Sequence, residues 1–183
     1  MKTVDYDKII RQYYNPDSEL YALLIAHSRT VADRALEIAK KCSSNFALDF
    51  DFIEQAAMLH DIGIIHCDAP SILCFGTFSY ICHGYLGADM LRAEGYPIHA
   101  LVCERHTGTG LSLAEIEKQN LPIPKRDMRP QTMEEQIICF ADLFFSKMRP
   151  TEETSIEKIR EKLQKYDNNG VEQFNKWCEM FLK

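Results

Sequence analysis

Apolar residues recur every three or four positions through most of the chain, the period of an amphipathic helix, and the alternation of a half-buried strand is scarce. The clearest stretch runs from Glu19 to Cys42, where Leu20, Leu24, His27, Val31, Ala35, Ile38 and Cys42 line one face. A shorter helix over Asp5 to Tyr14 precedes it, broken by Asn15-Pro16-Asp17, and Ser18 is placed to cap the long one. Asp51 and Glu54 have the spacing of a capping box and open a helix ending in Met58-Leu59-His60-Asp61-Ile62-Gly63, with Gly63 suited to a left-handed C-cap. Ile64 to Ser79, with Pro70 and Gly76, reads as a partly buried loop. Helices follow from Tyr80 to Glu94, closed by Gly95, and from Pro97 through Ile98, Val102 and His106; Gly87 is small enough to let another backbone approach. Ser112 with Glu115, and Thr132 with Glu135, offer two further capping boxes around an extended basic loop from Leu121 to Pro130. The helix opened by Thr132 should run to about Met148 with Ile138, Asp142 and Phe145 inward. Two amphipathic packing helices complete the chain, Ile156-Ile159-Leu163-Tyr166 ending near Gly170 and then Val171-Phe174-Trp177-Phe181. The pattern predicts an all-α helical bundle.

Polar residues interrupt these faces in a telling way. His27, His83, His106 and Asp142 stand where apolar side chains are due, and His60-Asp61 closes an apolar helix. Any one of them alone reads as a core residue satisfied by a neighbour. Together, on separate helices, they can meet only in the core, where unpaired imidazoles and carboxylates cost about a few kcal/mol each. A shared divalent metal offsets all of those costs at once, and imidazole with carboxylate is a ready ligand set.

Composition narrows the classes. The 183 residues suit one domain over 1–183, with a metal-site core over about 19–148 and packing helices over about 155–183. Hydrophobic residues make up 46% and charged residues 26%, an ordinary globular balance. A net charge of -6 gives no basic field to recruit a nucleic-acid polymer, so none is expected as a partner. The seven cysteines are odd in number and lack C-x-x-C spacing, which argues against a disulfide framework or a thiolate zinc cluster and for reduced thiols in a cytoplasm. The N-terminus has no apolar signal core and no run is long enough to span a bilayer, so no membrane association is expected. A homodimer is compatible with the sequence.

The order His27, His60-Asp61, Asp142, with Ile62-Gly63 completing an HDIG string, resembles the HD superfamily of metal-dependent phosphohydrolases. His83 and His106, within His83-Gly84-Tyr85-Leu86-Gly87-Ala88 and Glu104-Arg105-His106-Thr107-Gly108, resemble its two-metal branch; the similarity covers roughly Leu20 to Met148. The resemblance implies an all-α HD-domain bundle with the site at its centre. It implies one metal held by His27, His60, Asp61 and Asp142 and a second by His83 and His106, with Asp61 bridging and His60 and Asp61 at the catalytic heart. Two such ions would activate a shared water and clamp phosphate oxygens. Fe or Mn is favoured, with Zn, Co, Ni or Mg compatible. The implied activity is hydrolysis of a small phosphorylated substrate, such as a nucleotide, a dinucleoside polyphosphate or another phosphate ester, by a metal-bound hydroxide. A mixed-valence di-iron oxygenase and a non-catalytic metal- or nucleotide-binding sensor are the alternatives from the same superfamily.

The chain also departs from its relatives' pattern. Ile64 and Ile65 stand where some two-metal members carry a Lys soon after the HD pair, which leaves that role vacant or moved, with His66 a candidate replacement. Thr107 replaces the second adjacent His of the cyclic-dinucleotide branch, and that branch's GYP signature is not matched. For phosphate contact the candidates are Arg105, Lys125, Arg126 and Arg129, because guanidinium grips phosphate at two points.

Overall fold

The computed structural model describes residues 4–165 and 168–183. Among them lie nine α-helices: α1 (Tyr6–Tyr13), α2 (Glu19–Cys42), α3 (Phe50–Leu59), α4 (His83–Ala93), α5 (Pro97–Arg105), α6 (Leu113–Lys118), α7 (Met133–Asp142), α8 (Ile156–Gln164) and α9 (Asn168–Phe181). A single antiparallel pair among the described residues, β1 (Asp68–Ala69) with β2 (Cys74–Phe75), sits between α3 and α4. The fold is all-α. No described helix is long and apolar enough to cross a membrane.

Side-chain caps start α2, α3 and α7, which supply His27, His60-Asp61 and Asp142. Ser18 accepts from the Tyr21 amide at the head of α2, and Thr132 accepts from the Glu135 amide at the head of α7. Ser112 and Glu115 close a full capping box on α6. At α3 the cap is Asp49, accepting from the Phe52 amide, two residues before the expected Asp51. Glu135 does not complete its expected box on Thr132; its carboxylate takes the Gln131 amide and the Arg105 guanidinium instead.

α2 packs on α3 and α7, and α4 packs on α5, so that two buried apolar clusters form. One holds Val31, Ala35, Ile38, Ile53, Ala57, Ile138 and Phe140, covered by Phe174, Trp177 and Phe181 of α9. The other holds Ile10, Leu24, Leu59, Ile62, Leu91, Ala100 and Cys103. His27 lies in α2 between Leu24 of the second cluster and Val31 of the first, which places it at the seam of the two.

Three further expectations are corrected by the structure. Gly63 is not a left-handed cap, because α3 runs on through His60 and Asp61 into a 3-10 turn over Ile62–His66. Its small size serves packing: a Cβ there would lie 2.2 Å from the His83 carbonyl oxygen and 2.4 Å from the Gly87 nitrogen. The close approach expected at Gly87 is therefore present, with Gly63 as its partner. α7 stops at Asp142 rather than near Met148, since Phe144 and Phe145 donate to the carbonyls of Ala141 and Asp142 in a tight turn. Phe144, not Phe145, is consequently the buried ring. Gly170 lies within α9 and does not end α8, while Tyr166 falls outside the described residues. All seven cysteines are free thiols.

Candidate metal centre

His27 comes from α2, His60 and Asp61 from the exit of α3, His83 from the first residue of α4, His106 from the exit of α5, and Asp142 from the end of α7. Each sits where a helix begins, ends or crosses the seam. His27, His60, Asp61, His83 and His106 are almost entirely buried, and Asp142 keeps 17% of its side chain exposed.

Asp61 is the centre of the arrangement. Its Oδ2 lies 3.1 Å from His27 Nε2 and 3.1 Å from His60 Nε2, while its Oδ1 lies 3.5 Å from His83 Nε2 and 3.4 Å from His106 Nε2. Asp142 Oδ1 lies 3.0 Å from His27 Nε2 and 3.4 Å from His60 Nε2. Donor atoms of His27, His60, Asp61 and Asp142 all fall within 4.8 Å of one another, and so do those of Asp61, His83 and His106. The cluster is thus two ligand sets sharing one carboxylate.

The backbone sets the tautomers. Nδ1 of His60, His83 and His106 contacts the carbonyl oxygen three residues earlier, Ala57 at 2.6 Å, Tyr80 at 2.6 Å and Cys103 at 2.7 Å. A carbonyl can only accept, so each ring donates from Nδ1 and turns its Nε2 toward Asp61. The Nε2 atoms of His83 and His106 then meet at 3.1 Å, lone pair against lone pair, the environment a cation relieves. Five inward atoms have no hydrogen-bond partner: His27 Nε2, His60 Nε2, both Asp61 oxygens and Asp142 Oδ1. Buried groups of this kind ordinarily find partners. The site is compatible with metal binding.

Charge follows from the same geometry. Burial opposes charge on His60, but the carboxylates of Asp61 and Asp142 outweigh it and raise its pKa to about 10. Burial alone would raise Asp61, yet the His60 and Lys147 charges hold it well below the ordinary carboxylate range. For Asp142, burial is likewise overcome by the close approach of the His27 and His60 rings, which holds it well below the ordinary carboxylate range. Burial pushes His83 down to about 3, so its ring is neutral.

Lys147 is the residue that sequence reasoning missed. Its Nζ lies 2.5 Å from Asp61 Oδ2 and 5.7 Å from the centre of the Tyr80 ring, which itself stacks on His83 at 4.6 Å. Had α7 continued, Lys147 would have stood about 140° round the helix from Asp142, off the inward face. The turn after Asp142 brings it back.

The other sequence candidates lie elsewhere. Arg105 makes two contacts of 3.0 Å with Glu135, Arg126 is held by Glu104 at 2.6 and 3.0 Å, and Arg129 is held by Asp127 at 3.0 Å. Arg92 joins Arg126 on Glu104. Lys125 and His66 are exposed. None of the five lines the cavity of about 620 Å³ that opens on His83.

The HD domain model matches residues 24–146, a span that contains all six clustered side chains. The chain is 30% identical over 145 residues to an uncharacterized protein of Methanocaldococcus jannaschii, covering 78% of each. It is also 30% identical over 150 residues to a tRNA (cytidine(56)-2'-O)-methyltransferase of Thermoplasma volcanium, covering 81% of this chain and 38% of that protein. The methyltransferase of the same name from Picrophilus torridus is 28% identical over 150 residues, 81% of this chain and 37% of that one. The chain therefore spans well under half the length of these two methyltransferases. No solved structure matches it. With the match covering most of its length and enclosing the buried His and Asp cluster, this chain belongs to the HD domain family, whose members are typically metal-dependent hydrolases.

Proposed function

We propose that this chain is a metal-dependent phosphohydrolase acting on a small phosphorylated substrate. The observation that carries the reading is the buried convergence of four imidazoles on Asp61, with Asp142 beside it, where five inward atoms face one another without a well-formed hydrogen bond. Bound cations would satisfy these nitrogen and oxygen atoms together. In this reading His27, His60, Asp61 and Asp142 hold one ion, His83 and His106 hold a second, and Asp61 is shared. A donor set of nitrogen and oxygen without thiolate accepts Fe, Mn, Co, Zn, Ni or Mg, of which we favour Fe or Mn. When bound, such ions supply Lewis acidity that lowers the pKa of water and neutralises phosphate charge.

The protein's own groups prepare that chemistry. The carbonyls of Ala57, Tyr80 and Cys103 fix three imidazoles with Nε2 inward, so the ligand geometry is set before any ion arrives. Lys147, fixed between Asp61 and the Tyr80 ring, presents an ammonium where a phosphate oxygen must approach and fills the vacant Lys role from a different point in the chain. The buried walls keep bulk water away and strengthen both effects. The whole chain acts as one unit in this account, with 19–148 carrying the site and the helices beyond 155 packing beneath it. Its free thiols fit a reducing cytoplasm. The activity named for the methyltransferase relatives belongs to much longer proteins, and the reading rests on the cluster instead.

The test is phosphate release from nucleotides, dinucleoside polyphosphates and simple phosphate esters by protein loaded with Mn(II), or anaerobically with Fe(II), alongside Asp61→Ala. Turnover with Mn(II) that disappears in the variant is expected. No release from any compound by protein with bound metal would overturn the reading, and oxygen uptake by the Fe(II) form would replace it with oxygenase chemistry.

A further inference from the structure

The cavity of about 620 Å³ that opens on His83 lies within the size range of small-molecule sites, about 300–1,000 Å³. It borders the His and Asp cluster through Tyr80, His83 and Thr107, the last adjacent to His106, and through Leu143 beside Asp142. Any group attached to a phosphate held at Asp61 and projecting to that side must occupy this space. Ile81, Leu111, Leu121, Pro122 and Leu163 make most of its wall apolar.

Among the described residues, charged side chains in the wall are scarce, one lysine and one carboxylate, and give no net positive charge to hold a second phosphate. The cation lining the cavity is Lys162, which is exposed at the rim. The carboxylate in the wall is Glu115, held by the backbone nitrogen of Ser112 at 2.7 Å and by its hydroxyl at 2.5 Å. The arginines that would neutralise a polyphosphate chain, Arg105, Arg126 and Arg129, are engaged by carboxylates outside the cavity. Ser79, Thr107 and Gln119 leave a few neutral polar contacts.

We infer that the substrate is a phosphomonoester of a bulky, uncharged and largely apolar alcohol, whose organic part fills this cavity while its one phosphate faces Asp61, Lys147 and the histidines. The inference rests on the phosphohydrolase reading for the place of the phosphate, and it disfavours dinucleoside polyphosphates among the candidates.

Binding of phosphonates to the Mn(II)-loaded full chain, followed by calorimetry, tests it without turnover, because hydrolysis does not cleave their C-P bond. Methylphosphonate, 1-naphthylmethylphosphonate and 3-carboxypropylphosphonate share one head group and differ in the tail. The naphthyl compound is expected to bind about tenfold or more tighter than the methyl compound, through burial of its apolar rings, and the carboxylate tail to give no gain. Leu121→Arg, which puts a cation into the apolar wall, should remove the naphthyl advantage and shift the preference toward the carboxylate tail. Gln119→Trp, at an exposed position of the lining, should reduce the same advantage by narrowing the cavity. Equal affinities for all three compounds, a preference for the anionic tail, or a naphthyl advantage untouched by both variants would overturn the inference. Naphthyl-selective binding without phosphate release from any ester would instead sink the hydrolase reading, and turnover without selectivity would sink only this one.

Discussion

Asp61 faces four imidazoles with its two oxygens and is the carboxylate common to both candidate ligand sets. Its removal should therefore empty both, whereas removal of His83 should disturb one. Metal content after dialysis is expected to fall from two ions per chain to none in Asp61→Ala and to one in His83→Ala. Equal losses in the two variants, measured by plasma mass spectrometry, would contradict the shared-carboxylate arrangement. Lys147 differs in kind, since it donates rather than accepts. Lys147→Met should keep the metal content and lower kcat/KM by about 10²-fold, the scale of losing one pre-positioned donor in a dry site. A variant with unchanged kcat/KM would show that this ammonium only balances charge in the resting protein.

Outside the cluster, His99 packs against the Phe52 and Tyr96 rings at 4.9 and 6.0 Å, and burial holds its pKa down to about 4. The unfolded chain, with His near 6.5, takes up this proton first. The His99 contribution is thus complete above pH 6.5 and is lost as pH falls from 6.5 toward 4. Urea unfolding at pH 7 and pH 5 should show a smaller loss in His99→Gln than in the parent, and identical losses would rule out this residue as the source.

At the level of elements, the site depends on how closely the exit of α3 lies against the start of α4. Gly63 and Gly87 are the two residues at that contact, and their tolerance should differ. Gly63→Ala places a Cβ against backbone atoms at 2.2 and 2.4 Å and should cost about 3 kcal/mol or more, the upper end of overpacking effects. Gly87→Ala meets Gly63 N at 3.0 Å, Ile62 Cγ2 at 3.3 Å and Gly63 Cα at 3.4 Å, looser contacts that a gain of about 1 kcal/mol of helix propensity partly offsets, so it should cost less than Gly63→Ala. Thermal unfolding of both variants checks the ordering; a reversed order would mean the contact is not close-packed in solution.

What was legible in the chain followed what is local. Helical period marked α2, and that placed His27 inward; the Ser112 and Glu115 pair marked the capping box that opens α6. The role of Gly63 was not legible, because a glycine chosen for a close backbone approach looks the same in sequence as one chosen for a left-handed turn. Nor was the end of α7. Leu143, Phe144 and Phe145 continue an apolar helical pattern, and only packing of Phe144 on the Phe140 and Phe174 rings, together with a bond from the Thr154 amide to the Phe144 carbonyl, shows why the chain turns there. Lys147 was hidden for that reason. The paired arginines were hidden for another, since Arg105 meets Glu135 and Arg126 meets Glu104 across distances in the chain that spacing does not encode.

Across the described residues, the two larger apolar clusters meet along α2, and the His and Asp cluster lies at their seam. α9 braces the cluster beneath α7 through Phe174, Trp177 and Phe181, with Trp177 Nε1 donating to Gln136 at 2.9 Å. Phe174→Ala should cost about 3–5 kcal/mol of stability, yet the protein that remains folded should bind metal normally, because no ligand lies on α9. The same separation explains how the HD domain match can end at residue 146 while the C-terminal helices still matter for stability.

The most direct measurement is anomalous diffraction from crystals of the Mn(II)-loaded chain. The account predicts two peaks, about 3.5–4 Å apart, one against His27, His60 and Asp142, the other against His83 and His106, with Asp61 between them. No peak at Asp61, or manganese held only by residues outside this cluster, would contradict it.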